Sequence, residues 1–345
     1  LSDWSSDVCS SDLEVLARLR ARGTTILLIT HKLREVMALC DAVTVMRAGQ
    51  VIKTCAIGAT NPEDLAESMV GRKVNLGRPE GAAQARSDQP VLQARELSLR
   101  SEAGVALLKK VSLSLRPGEI VGVAGVSGNG QRELMEALVG QRDRAGGEVF
   151  VAGEAYRATR AQNQRLNVRS LPEEPLRNAS VGDLSVAMNI GLRRFDLAPA
   201  ARGGWLRGGL LRQQARELIA TYGIKTQGEN APIRSLSGGN VQRAVLAREL
   251  DGQVDVLLVA NPVFGLDFAA VAEIHARIMA VRNAGGAVLL ISEDLDELLK
   301  LADRIVVMSE GQVVHGCDAR DADRHVLGSF MGGHHHDHGT HQEAA

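Results

Sequence analysis

A chain of 345 residues, 45% hydrophobic and 23% charged, lies in the ordinary globular range and is long enough for roughly one to three domains. Its formal net charge of -1 and pI of about 6.8 exclude a global positive field that would draw it to nucleic acid or anionic lipid. Four cysteines without pairing or metal-ligand spacing point to a reducing compartment, and the longest apolar runs fall far short of the roughly 18 residues a membrane span needs.

The opening segment Leu1–Leu13 repeats Ser-Ser-Asp and matches nothing later in the chain, so it is expected to be unrelated sequence joined to the fold. A natural extension is the alternative. From Ile26 the pattern becomes regular. An apolar run (Ile26–Thr30) predicts a strand, Leu33–Leu39 has helical spacing, and Ala42–Lys53 has a β-pattern broken by Gly49-Gln50. The whole of Ile26–Cys55 returns without a gap as Val288–Cys317, with about 13 of 30 positions identical. The offset of 262 is domain-sized, not the period of a solenoid.

Residues 14–72 therefore read as the C-terminal part of one domain and 90–332 as a complete second domain of the same kind. Residues 73–89 are polar, rich in Gly, Pro and Ala, and read as a linker; residues 333–345 form a His-rich tail expected to be disordered and not counted as a metal site. Continuously apolar strands alternating with amphipathic helices predict an α/β fold, with a parallel sheet covered on both faces.

The second domain carries the chemistry. The strand Glu119–Ala124 runs into Gly125-Val126-Ser127-Gly128-Asn129-Gly130-Gln131-Arg132 and then into a helix through Leu134 and Leu138. Glycines at these places let backbone N–H groups face phosphate oxygens, and the helix N-terminus adds partial positive charge. Yet Gln131 stands where a phosphate-loop lysine is needed, and Arg132 where a Mg²⁺-binding hydroxyl is needed.

Farther on, Leu236-Ser237-Gly238-Gly239-Asn240-Val241-Gln242 resembles the signature of ABC ATPases. Val256–Pro262 is similar to their Walker B strand, Phe264–Asp267 to the D-loop, and Ile291–Glu293 to the switch segment. The resemblance implies a P-loop NTPase fold of the ABC type with a helical subdomain over about residues 184–222, preceded by the end of another such domain. It also implies site positions. Ala260 replaces the aspartate that positions Mg²⁺, Asn261 the catalytic glutamate, Glu293 the switch histidine and Glu173 the Q-loop glutamine, while Asp267 keeps the D-loop aspartate. The first copy has His31 at the switch position.

Nucleotide-binding candidates are thus Gly125 to Arg132, and the signature candidates are Ser237, Gly238, Gly239 and Asn240. With no aromatic in Val91–Val111 to stack on adenine, the grip on nucleotide is expected to be weak. The tandem arrangement with Gly-Asn-Gly-Gln and Ser-Glu-Asp-Leu-Asp-Glu looks like simple-sugar and nucleoside importer ATPases. That likeness implies ATP, with Mg²⁺ at a competent composite site, and no nucleic acid. It implies as partners the other ABC domain or a second copy, membrane permease subunits and, indirectly, an extracytoplasmic binding protein, at the cytoplasmic face of the inner membrane. The alternatives are a tandem ABC protein outside transport and a non-hydrolysing module or gene fragment.

Overall fold

The computed structural model describes residues 6–30, 32–47, 49–71, 88–263, 266 and 268–333, without side chains at 6–12, 70, 268 and 269. The first unit opens with α1 (Ser6–Ala21), α2 (Leu33–Leu39), the antiparallel hairpin β1 (Ala42–Arg47) and β2 (Gln50–Ala56), and α3 (Pro62–Val70). Helix α1 runs straight across residue 13, where the repeat ends. Asn61 caps α3 by accepting from the Asp64 N–H, and Pro62 supplies the fixed φ of a first helical residue. Val36, Val45 and Leu65 make a small core of their own.

The segment expected as a strand at Ile26–Thr30 has no regular structure, and Leu27 and Ile29 are 89% and 91% exposed. Its counterpart in the second unit explains the difference. There the same sequence pattern is hydrogen-bonded by parallel strands on both sides, whereas among the described residues none flanks Ile26–Thr30. A lone strand leaves its N–H and C=O groups to water and gains no ladder.

The second unit begins with β3 (Leu92–Arg100), β4 (Ala106–Leu115), β5 (Ile120–Ala124), α4 (Gln131–Val139), β6 (Gly146–Val151) and β7 (Glu154–Ala155). It continues through α5 (Arg160–Arg165), β8 (Val168–Leu171), α6 (Pro175–Asn178), α7 (Val186–Gly191), β9 (Ala201–Arg202), β10 (Trp205–Leu206), α8 (Gly208–Thr221) and α9 (Gly238–Glu249). The last elements are β11 (Val256–Ala260), α10 (Phe268–Asn283), β12 (Ala287–Ile291), α11 (Leu295–Leu301), β13 (Arg304–Ser309), β14 (Gln312–Asp318) and α12 (Arg324–Met331).

Six strands form one sheet in the order β14-β13-β5-β12-β11-β8, parallel except at the edge pair β13–β14. Every residue of β5, β11 and β12 is buried, as a sheet covered on both faces requires. Alternate side chains divide between two cores. Leu257, Val259, Val288 and Leu290 meet the helices α7 to α12, while Val256, Leu258, Ala287 and Leu289 meet α4 and the antiparallel sheet β4-β3-β6-β7. Burying each such side chain is worth about 1.5–3 kcal/mol, which holds the carboxyl ends of β5, β11 and β12 at one edge as a fixed platform.

Candidate functional site

The turn after β5 carries the phosphate-loop candidates. Gly128 and Gly130 adopt φ of 88° and 104°, and Gly130 is the N-cap of α4. At Gly130 an added Cβ would sit 3.0 Å from the Gly311 backbone, so this turn packs against the β13–β14 hairpin. Asn129 fastens the same contact: its side-chain oxygen accepts from Glu310 N at 2.9 Å and its carbonyl from Gly311 N at 3.0 Å. Val126 is half-buried, and Ser127 and Gly128 are exposed on the loop's outer side.

Gln131 is buried and folds back into the loop, its Nε2 donating to the Val126 carbonyl at 3.1 Å. It lies where a Cβ on Gly125 would be, 1.9 Å from that ideal position, so Gly125 is there for lack of a side chain. Arg132, one residue on, is exposed and reaches Glu136, with Nε 2.9 Å from Oε1.

Three chain-distant candidates come together opposite this loop. Asn261, directly after β11, accepts at Oδ1 from the Glu293 N–H at 3.1 Å, and its own N–H donates to the Ile291 carbonyl at 2.8 Å. Glu173 is half-buried. Burial pushes its carboxyl above the usual carboxylate range, and the neighbouring Glu293 and Glu174 push it further, while the Asn261 amide and Arg132 pull it back. Asn261 and Glu174 hold left-handed backbone at φ of 43° and 49°, conformations a non-glycine residue keeps only where its surroundings fix it. Ala260 ends β11 as a buried methyl. His31 and Asp267 lie outside the described residues.

Ser237 is the exposed N-cap residue of α9, yet its hydroxyl makes no capping bond to that helix. It accepts instead from Asn240 Nδ2 at 2.8 Å, and Asn240 Oδ1 accepts from Lys225 N at 2.8 Å. Gly238 has open space around it, whereas an added Cβ on Gly239 would press to 3.1 Å on Leu266. Beside this turn opens a cleft of about 580 Å³ lined by Ser237 to Arg243, Glu174 to Leu176 and Asn261. Gln242 ties α9 to the end of β11 through a short bond to the Pro262 carbonyl.

A buried network behind the switch position escapes the motif reading. Glu297 accepts from Ser292 Oγ at 2.6 Å and lies 2.7 Å from His275 Nε2, joining the end of β12 to α10. The first unit repeats half of it, with Thr30 Oγ1 donating to Glu35 at 2.8 Å. A hydroxyl and a carboxylate at the same spacing in both copies is the signal that could have found it.

The ABC transporter family profile matches residues 108–263. The chain is 37% identical over 322 residues to the nucleoside import ATP-binding protein NupA of Lactococcus lactis, covering 93% of this chain and 63% of that protein. It is 39% identical to the glucose import ATP-binding protein TsgD13 of Haloferax volcanii (96% and 60%) and 32% identical to the ribose import ATP-binding protein RbsA 2 of Rhizobium meliloti (91% and 60%). It thus spans about three fifths of these relatives. In fold it resembles the dimeric ATP-binding cassette MJ0796 bound to ADP and Pi, with a TM-score of 0.56 and 20% identity over 67% of this chain and all of that one.

Proposed function

Because the chain belongs to the ATP-binding proteins of ABC importers, we propose that it is part of the ATP-binding subunit of an importer for nucleosides or simple sugars. In this reading, binding and hydrolysis of ATP move membrane permease subunits that receive cargo from an extracytoplasmic binding protein. The subunit works at the cytoplasmic face of the membrane; no helix among the described residues is long and apolar enough to cross one.

The second unit holds nucleotide weakly and supplies its signature to a site completed by another ABC unit, which holds ATP and Mg²⁺. The observation that carries this reading is Ser237, exposed at the start of a twelve-residue helix with its hydroxyl free of that helix's backbone N–H groups. A hydroxyl and helix N-terminus so placed suit the terminal phosphate of a nucleotide brought by a partner. Its own half-site has the opposite character: Gln131 is spent on the loop, Ala260 offers a methyl, Asn261 an amide and Glu293 a carboxylate. A positioned general base is typically worth about 10²–10⁴ in rate, and none stands at residue 261.

Co-expression with membrane permease subunits of a nucleoside or sugar importer, followed by purification of the membrane fraction, tests the reading. Recovery of a membrane complex supports it, and recovery with ribosomes or DNA in its place removes it.

A further inference from the structure

The ABC family implies Mg²⁺ at each nucleotide site, and the donor set of this half-site does not fit it. The hydroxyl ligand position is a guanidinium, Arg132, and the carboxylate position is the buried methyl of Ala260. Among the described residues no group of three or more His, Cys, Asp or Glu side chains is arranged to hold a metal ion.

We propose that the loop Gly125–Arg132 takes the polyphosphate of a nucleotide without a divalent metal, and that the Arg132 guanidinium is the cation that meets it. This rests on the nucleotide-binding reading above. The backbone cradle remains, with Gly128 and Gly130 in left-handed conformations at the head of a nine-residue helix. What the cradle lacks is charge. Gln131 cannot supply it, being neutral and turned back onto Val126.

Arg132 can. It is 66% exposed on the first turn of α4, directly after the loop, and close enough to Glu173 for the two charges to feel one another. A guanidinium presents a planar fork of donors that matches phosphate oxygens in pairs. Releasing it from Glu136 does not leave that carboxylate without a countercharge, because Arg142 Nε stays 2.6 Å from Glu136 Oε2. The exchange therefore gives up one i,i+4 ion pair, exposed on its Arg132 side, for contact with a multiply charged ligand.

The sequence contains one phosphate loop, so nucleotide bound to the whole chain reports this site. Titration with N-methylanthraniloyl-ATP, followed by fluorescence in excess Mg²⁺ and again in EDTA, should give dissociation constants within about threefold of each other. Arg132→Ala should weaken binding about tenfold or more in both buffers, and Arg132→Lys should recover part of the loss. The paired change Arg132→Ser with Ala260→Asp should make binding Mg²⁺-dependent. If the unaltered chain binds only with Mg²⁺, the proposal falls while the nucleotide-binding reading stands; if it binds in neither buffer, both fall. Arg132→Ala with unchanged affinity and an unchanged circular dichroism spectrum also overturns the proposal.

Discussion

Arg34 and Asp296 hold the same place in the two copies of the repeat, 262 residues apart, and they touch, with Nη1 3.3 Å from Oδ1. Contact between equivalent positions is what a two-fold arrangement produces near its axis, here between α2 and α11. The side chains are 69% and 53% exposed, and Asp296 also pairs with Arg324. A double-mutant cycle of Arg34→Ala and Asp296→Ala should therefore give a coupling of only about 0.2–1 kcal/mol, shrinking as salt is raised. Asp296→Ala alone should cost more than Arg34→Ala alone, since it also strands Arg324. Equal single costs with no coupling would remove the pair from any part in joining the units.

The purified chain should hydrolyse ATP no faster than background. Gln131, Arg132, Ala260, Asn261 and Glu293 leave its phosphate loop without the lysine, metal ligands, carboxylate and switch histidine that phosphoryl transfer uses. Phosphate release measured with Mg²⁺-ATP is the check. Robust turnover that survives Ser237→Arg would overturn the account of this half-site.

Glu173 gives a pH signature with a definite sign. Its carboxyl is raised in the folded chain by burial first and by Glu293 and Glu174 next, so the folded state binds more protons than the unfolded state just above the ordinary carboxylate range. Stability from this group is present at lower pH and is lost as pH rises through its raised value. Glu173→Gln removes the term and should raise the melting temperature at neutral pH relative to the parent, with the gap closing in acid. Melting curves across pH 4–8 decide it; a gap that widens in acid would reverse the assignment.

Glu249 carries the opposite sign. It is fully buried, and although burial pushes its carboxyl up, Arg248 and Arg193 hold it below the usual range, with Arg193 Nη2 at 2.6 Å and Arg248 Nε at 2.8 Å. Its contribution is present above the unfolded carboxylate value and fades as pH falls through the depressed one. Glu249→Ala takes the shared carboxylate from the buried Arg248 and the part-buried Arg193 and should destabilise the unit by about 3–5 kcal/mol in urea unfolding. A loss under about 1 kcal/mol would mean that water replaces the carboxylate.

Strands β11 and β12 and helix α2 lie where the apolar runs place them, because each is fixed by a pattern local to a few residues. Ile26–Thr30 shows the limit of that reasoning: a strand also needs neighbours, and the run itself does not say whether they are there. The signature turn was legible as a motif, but not that Ser237 would leave its own helix uncapped. The Arg193–Glu249–Arg248 cluster was invisible, since Arg193 meets Glu249 from 56 residues away. His275 reaches Glu297 from 22 residues away, so no spacing rule could have paired them.

The decisive comparison sets the signature against the phosphate loop of the same unit. Ser237 is exposed beside a cleft, and its hydroxyl is tied to the fold by the bond it accepts from the Asn240 side chain. Gln131 is buried and bonded only within its own loop. In a chain whose first unit is extended to carry its own phosphate loop, assembled with its permease, Ser237→Arg brings bulk and charge to the surface that closes on the partner's nucleotide. It should suppress ATPase activity and transport together, by about 10²-fold or more, the scale on which losing one transition-state donor is felt. Gln131→Ala removes a bond internal to a loop that lacks the groups for chemistry, and should leave turnover within about threefold while trimming stability by roughly 1 kcal/mol. Arg in place of Ser237 should leave the melting temperature of the isolated chain unchanged, which separates a failed interface from a failed fold. If Gln131→Ala abolishes turnover and Ser237→Arg is silent, the working half-site is the one around Gly125–Arg132, and the signature of this unit serves no partner.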